Sequence, residues 1–370
     1  MRKNKLVLTL IILTLLTGCW DERLLKDVRI VYLSGFDLDE KGDYLITVLI
    51  RNLNISKSSR GERSITNDMI TGKGKNVRET SLNIDQSVAG TLDPAKGRTL
   101  ILGNDIAKGD IFNVLDTIYR EPRLNVNSKV VVTSGSAKNL IQHLTEKEME
   151  KAEYFYELIK SSEDLTEIPS VTVQTVCTYL FDEGKDFFLP YLGIDKEDHT
   201  VKVKGTVLFH DRSFTGQYLS IDESKLLLLF MDKKARKAIL TDRVEQQEDA
   251  ALSYKVKRIS RNLKVTKKDK VSVDISLQLD VEVIDYPTDH LDNQKKIKDL
   301  NQQLSRQLTK NADALFKKLA DNQSDVLGLG RELIAFYPSI WEEIKGKNYY
   351  EHIEVNPEVN INIISRGIIL

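Results

Sequence analysis

From Val271 to Val283 the chain alternates without a break. Val271, Val273, Ile275, Leu277, Leu279, Val281 and Val283 are apolar, and Ser272, Asp274, Ser276, Gln278, Asp280 and Glu282 between them are polar. A period of two over this length predicts a strand with one dry face and one wet face. Residues 252–265 read as its hairpin partner across the turn Lys267-Lys268-Asp269. The period then changes. Ile297, Leu300, Leu304, Leu308, Ala312, Leu315 and Leu319 step by three or four, with Lys, Gln, Asn and Asp on the other side. That is a long amphipathic helix, and the dry face of the hairpin is the surface it predicts for itself. Asp325-Val326-Leu327-Gly328-Leu329-Gly330 reads as a turn, with a helix after it to about Trp341. Val359, Ile361 and Ile363 alternate with Asn360 and Asn362 as a last strand.

The first half reads differently. Residues 28–37 and 44–53 form two strands around the turn Asp39-Glu40-Lys41-Gly42-Asp43, and the polar stretch 54–63 reads as a mobile loop. Val77, Leu82, Ile84, Val88 and Leu92 fall loosely at helical spacing. Residues 98–103 are a short buried strand. Ile106, Ile111, Val114, Leu115 and Ile118 mark one face of a helix that stops before Pro122, and residues 128–133 are a second strand. Strand, helix and strand at this spacing predict a βαβ unit with parallel strands. Thr145 and Glu148 have capping-box spacing and predict a helix start, and Pro169 predicts the opening of another helix towards Phe181. Val201, Val203, Val207 and Phe209 form a strand, and Ser220 with Glu223 repeats the capping-box spacing ahead of residues 226–230. The fold class expected is α+β, in two or three mixed α/β domains. The C-terminal half is an antiparallel sheet packed against long helices. The expected division is 1–18, 20–195 and 196–370, with a further cut near 240–250 as an alternative.

The N-terminus carries the clearest functional signal. Arg2, Lys3 and Lys5 precede an apolar and threonine run from Leu6 to Leu16. Eleven helical residues reach about 16 Å, and a bilayer core is about 30 Å thick, so the run fits a signal peptide rather than a membrane span. Leu16-Thr17-Gly18-Cys19 follows and resembles a bacterial lipobox. Small residues before the scissile bond admit a peptidase. Only a thiol in the next position can become a thioether to diacylglycerol. Cleavage between Gly18 and Cys19 would leave Cys19 as an S-diacylglyceryl, N-acylated terminus. Each buried methylene adds about 0.8 kcal/mol, and more than one chain is needed for firm attachment.

Composition narrows the remaining choices. The chain has 370 residues, 41% hydrophobic and 29% charged, with a formal charge of -1. Loss of residues 1–18 removes three basic residues and leaves 51 basic against 55 acidic, or -4. No basic excess exists to neutralise phosphates, so nucleic acid is not expected as a partner. Cys19 and Cys177 are the only cysteines, and Cys177 in its apolar stretch reads as a small buried hydrophobe. His143, His199, His210, His290 and His352 form no ligand pair by spacing, so no metal or other cofactor is expected. Ser134-Gly135-Ser136 reads as a turn and helix N-cap, and Gly72-Lys73-Gly74-Lys75 lacks the phosphate-loop spacing. No catalytic residue is picked out, and the chain is expected not to be an enzyme.

Cys19 continues into Trp20-Asp21-Glu22-Arg23, then Ile30-Val31 and Gly35-Phe36-Asp37. This opening resembles the C-subunit lipoproteins of bacterial spore germinant receptors, the Ger(x)C family. Leu24 and Lys26 stand where that family usually has Glu and Asn. The likeness extends through Gly205-Thr206-Val207-Leu208-Phe209, Gly216 and the helix from Asp222 to Asp325–Gly330, Trp341 and Arg366-Gly367. The resemblance implies one of three receptor subunits, lipid-anchored on the extracytoplasmic face of the spore inner membrane. Its partners would be polytopic A- and B-type subunits, with a small-molecule nutrient germinant sensed at the level of the complex. The alternative is a lipid-anchored solute-binding protein serving a transporter, which would show two doubly wound lobes. An envelope hydrolase is a third class.

Overall fold

A computed structural model describes residues 28–54, 64–146, 151–244, 251–267, 270–286, 291, 293–346 and 348–365. The expected loop at 54–63 therefore lies almost wholly outside the described residues, as do Lys268, Asp269, Glu148 and Arg366-Gly367.

The first sheet has nine strands: β1 Val28–Leu38, β2 Tyr44–Asn54, β3 Ser64–Gly74, β4 Thr91–Asp93, β5 Thr99–Leu102, β6 Lys129–Thr133, β7 Phe188–Ile194, β8 Val201–His210 and β9 Ser213–Leu219. Its order is β3-β2-β1-β5-β6-β7-β8-β9, with β4 beside the start of β1. The centre is parallel: β1, β5, β6 and β7 run the same way, and the predicted βαβ unit is β5 to β6. Antiparallel strands flank it on both sides. The junction at 195/196 falls between β7 and β8, which pair within this one sheet.

Both faces of the central strands are dry. Leu100, Leu102, Val130 and Val132 point to one core, shared with α1 Val77–Asp85, α2 Asn104–Lys108, α3 Phe112–Tyr119 and α6 Val173–Tyr179. Ile101 and Val131 point to the other, under α4 Ala137–Glu146 and α5 Lys151–Asp164. Short strands of continuous apolar residues are what a doubly covered parallel sheet requires.

The second sheet is β10 Ile239–Arg243, β11 Ala251–Lys267, β12 Val271–Asp285 and β13 Ile353–Ser365, in that order. All seven apolar positions of the 271–283 alternation are buried. β11 is the hairpin partner, paired from Ser253↔Asp285 to Lys267↔Val271. β13 pairs with β12 in parallel, so the sheet is mainly antiparallel with one parallel edge. Four helices share its core among the described residues: α7 Ile221–Phe230, α8 Gln294–Asp321, α9 Leu329–Phe336 and α10 Pro338–Ile344, the last through Trp341. The seven apolar positions read into α8 are all buried. Ser220 and Glu223 form the expected capping box on α7.

Helix α8 does more than cover the sheet. Asn301 Oδ1, Ser305 Oγ and Thr309 Oγ1 accept from the amides of Ile363 (3.0 Å), Ile361 (2.8 Å) and Val359 (3.0 Å). Four helical residues rise about 6 Å, and two strand residues advance about 6.6 Å, so a polar row at every fourth helix position meets every second strand amide. Those amides would otherwise be an open edge.

Several helix boundaries differ from the sequence pattern. The helix read after the Ser134-Gly135-Ser136 turn is α4, and Thr145, expected to open a later helix, sits instead in the last turn of α4 with its hydroxyl on the Ile141 carbonyl (2.7 Å), the next helix being described from Lys151. The 106–118 pattern is two helices, α2 and α3, parted at Gly109. The helix expected at Pro169 begins at Val173 under a Thr172 N-cap, because Val171 and Thr172 are bonded alongside the start of β6 (Lys129↔Thr172). The helix expected to run to Trp341 breaks at Tyr337, and α10 Pro338–Ile344 restarts on a proline, which suits a first helical turn. The 77–92 pattern is helical only to Asp85, and Leu82 is exposed.

Candidate functional site

Gly18 and Cys19 lie outside the described residues, so the lipidation and cleavage positions have no geometry here. The described landmarks of the sequence do. Gly35-Phe36-Asp37 ends β1, and the Asp37 carboxylate accepts from the amides of Ala137 (2.8 Å) and Lys138 (2.8 Å) and the Ser136 hydroxyl (3.0 Å). It caps α4 from a hundred residues away. Burial pushes its pKa up, opposed by those three donors.

The later landmarks converge where the two sheets meet. Asp325 is fully buried. Its Oδ1 accepts from the amides of Gly328 (2.8 Å) and Leu329 (2.9 Å), and its Oδ2 from the Gly330 amide (2.8 Å) and Tyr349 Oη (2.7 Å). The carboxylate thus closes the open N-terminus of α9. Burial pushes its pKa up to about 6 against those hydrogen bonds, which leaves it ionised at neutral pH. Trp341 stacks edge-on against Tyr349, centroids 5.0 Å apart.

Segment 182–188, leading into β7, is the other half of the junction. Asp186 and Asp325 exchange contacts: the Asp186 amide donates to the Asp325 carbonyl (3.0 Å), and the Asp325 amide donates to Asp186 Oδ2 (2.9 Å). Asp186 Oδ1 takes the Asp211 amide (3.1 Å), and His210 Nδ1 lies 3.4 Å from Oδ2. That hydrogen bond raises the His210 pKa, opposed by partial burial. Ser324 Oγ donates to the Phe209 carbonyl (2.6 Å). Gly330 and Gly184 cross backbone to backbone. A Cβ on Gly330 would lie 2.8 Å from Gly184 Cα, so no larger residue fits without a shift. Gly205 has φ of 128°, and a Cβ there would meet the Leu219 carbonyl oxygen at 1.9 Å. Both glycine positions of the sequence landmarks are therefore steric requirements.

A cavity of about 230 Å³ lies beside this junction, between the α5–α6 connection of the first core and the end of α7 in the second. Glu163, Lys185 and Lys233 bring charge to it, and Phe188, Leu228 and Met231 bring apolar surface. Glu163 Oε2 is paired with Lys129 Nζ (2.7 Å), while Oε1 is buried with no hydrogen-bond partner among the described residues. Burial raises the Glu163 pKa. Lys185 stands over the Tyr179 ring, Nζ 5.4 Å from the centroid. Burial first, then repulsion from Lys233 and Arg331, pushes its pKa down to about 8. Sequence reasoning missed Lys185 and Glu163 altogether. Neither carries a motif, and only the docking of the two cores brings them together.

Cys177 is buried and its thiol is pushed up to about 11, which removes it as a nucleophile at neutral pH. Among the described residues no three His, Cys, Asp or Glu side chains cluster as a metal site. His143 Nε2 contacts the His199 carbonyl (2.7 Å), and His290 lies outside the described residues.

Two family models tile the chain. "Spore germination protein N-terminal domain" matches residues 21–203, and "Spore germination B3/ GerAC like, C-terminal" matches residues 204–367. The chain belongs to the GerAC-like spore germination family, the Ger(x)C proteins. Among its Ger(x)C relatives, spore germination protein GerQC of Bacillus cereus is 22% identical over 98% of both chains. Spore germination protein KC of Bacillus subtilis (strain 168) is 22% identical over 96% of this chain and 92% of its own. A crystal structure of the GerBC protein superposes with a TM-score of 0.58 at 15% identity, covering 93% of this chain and 100% of that one. That likeness shows a shared Ger(x)C fold.

Proposed function

We propose that the chain is the lipid-anchored C subunit of a nutrient germinant receptor, acting by assembly with A- and B-type membrane-embedded subunits rather than by catalysis. The observation that carries this reading is the end-to-end match to spore germination proteins, on a chain whose folded body is preceded by Leu16-Thr17-Gly18-Cys19. Among the described residues no helix is long and apolar enough to cross a membrane. In this reading the bilayer is reached through Cys19, on the extracytoplasmic face of the spore inner membrane. β1 starts at Val28, nine residues after Cys19, and at roughly 3.4 Å per residue the tether holds the body within about 30 Å of the lipid. A tether that short puts the effective concentration of membrane partners on the order of millimolar without any strong contact. The solute-binding alternative calls for two doubly wound lobes. The second sheet is instead mainly antiparallel, under one long helix.

The test is Cys19→Ala. The variant chain is expected to fold, to leave the membrane fraction and to slow nutrient-triggered germination. Mass spectrometry of the mature N-terminal peptide supplies the direct check. An unmodified Cys19 sulfur, or residues 1–18 still attached, overturns the proposal.

A further inference from the structure

We propose that the cavity between the two sheets binds a small organic carboxylate, with its head group on Lys185 and Lys233 and its apolar body on Phe188, Leu228 and Met231. The argument begins with charge. Each acid lining the cavity already has a partner: Glu163 has Lys129, Asp164 has Arg236 at 3.9 Å, and Asp186 has His210 and two backbone amides. The two lysines have neither a hydrogen bond nor an ion pair from their ammonium groups among the described residues. The Tyr179 ring under Lys185 attracts a cation but does not neutralise it. A half-buried ammonium with no direct ion pair is costly, a second lysine beside it adds to the cost, and the carboxylates of Asp325 and Asp182 offset only part of it. The depressed pKa of Lys185 is the same imbalance seen from the proton's side. An anion between the two lysines removes it.

The rest of the lining sets the ligand's other features. Phe188, Leu228 and Met231 are buried side chains, so the ligand carries a hydrocarbon portion and is not a bare inorganic anion. The orphaned Oε1 of Glu163 calls for a hydrogen-bond donor on the ligand. The size follows from the volume. About 230 Å³ is far above the ~10–15 Å³ that admits one water and below the ~300–1,000 Å³ of drug-sized pockets. The ligand class is therefore a short-chain carboxylate with a hydroxyl or amino group. The inference stands apart from the anchor at Cys19, because the cavity belongs wholly to the folded body.

The experiment uses the full chain in detergent and three probes of matched size: 4-hydroxybutyrate, butyrate and butyramide. Calorimetry is expected to show 4-hydroxybutyrate binding most tightly, butyrate next, and butyramide about tenfold or more weaker than butyrate, since it lacks the charge. Lys185→Met is expected to weaken both carboxylates about tenfold while the melting temperature stays near that of the parent. As a second readout, NMR titration of ¹³C-methylated lysines is expected to show the Lys185 pKa rising when butyrate is bound. Three results would overturn the proposal: no carboxylate binding up to about 20 mM, butyramide binding as tightly as butyrate, or unchanged affinity in Lys185→Met. Binding with an unmoved Lys185 pKa would also overturn it, because the ligand would then sit elsewhere.

Discussion

The Asp325 carboxylate closes the N-terminus of α9 and holds Tyr349, and replacing it with alanine measures how strongly. The Gly328 amide keeps a second partner in the Asp325 carbonyl (3.2 Å), so it is not orphaned. The amides of Leu329 and Gly330 and the Tyr349 hydroxyl lose their acceptor in a site closed to water. At about 1–3 kcal/mol for each unmet buried donor, the gross loss is about 3–9 kcal/mol. Removal of the carboxylate also takes away a buried charge whose desolvation outweighs its hydrogen bonds, as its raised pKa shows, and this returns part of that loss. The net expectation is a destabilisation of about 3 kcal/mol, in the range of other broken buried networks. Asp325→Asn should cost less, about 1–2 kcal/mol. Its oxygen can keep the Gly328 and Leu329 amides, and Tyr349 can reverse to accept from the new NH₂, leaving one amide unmet. Trp341 packs on Tyr349, and the chain has only one other tryptophan, Trp20, so tryptophan fluorescence in a urea titration reads this site directly. With m near ~3 kcal/mol/M, the Asp325→Ala midpoint should fall by about 1 M. An Asp325→Ala midpoint within about 0.2 M of the parent would refute the count of unmet donors.

Two further outcomes follow from the same bonds. Asp37→Ala removes the remote cap of α4 and should cost about 1–2 kcal/mol, with hydrogen exchange of the α4 amides accelerated more than that of α8; equal acceleration in both helices would show that no local cap was lost. His210→Gln tests the Asp186 contact through pH. The folded-state pKa of His210 is raised, so its contribution is fully present below the unfolded value and is lost as pH rises through the folded one. The stability gap between parent and variant should therefore be wider at about pH 5.5 than at about pH 8.5, and a gap independent of pH would show that the pair carries no charge-dependent stability.

The elements legible in the sequence are those whose partner lies on the same stretch of chain. The β12 alternation, the α8 stripe and the capping box on α7 each state their own geometry, and each appears where the pattern puts it. The illegible boundaries depend on distant groups. The turn at Ser136 announces the helix from Ala137, but the acceptor for its first amides is Asp37, and nothing near residue 137 records that. Val171 and Thr172 bond to the start of β6, which delays the helix expected at Pro169. The Asp325-x-x-Gly-x-Gly run looked like a simple turn. Its second glycine answers to Gly184, almost 150 positions earlier, and its acid to Tyr349. The cavity was invisible for the same reason, since its charged residues come from separate segments with no common motif.

The polar side of α8 shows how far such a reading can mislead and what it means for assembly. Lys, Gln, Asn and Asp opposite an apolar stripe ordinarily signify solvent. Here Asn301, Ser305 and Thr309 border the stripe and serve as acceptors for the outer amides of β13. Their spacing of four is helical, but it works as a strand's spacing of two. A strand edge already bonded in this way offers no free donors at Val359, Ile361 or Ile363, so a partner cannot extend the second sheet there by adding a strand. The opposite edge, β10, has β11 on one side and no strand on the other among the described residues. β10 pairs only with Ala251–Lys255 of β11, so strand addition to the second sheet would have to use β10 or the β11 edge beyond Lys255, away from the three bonded amides of β13.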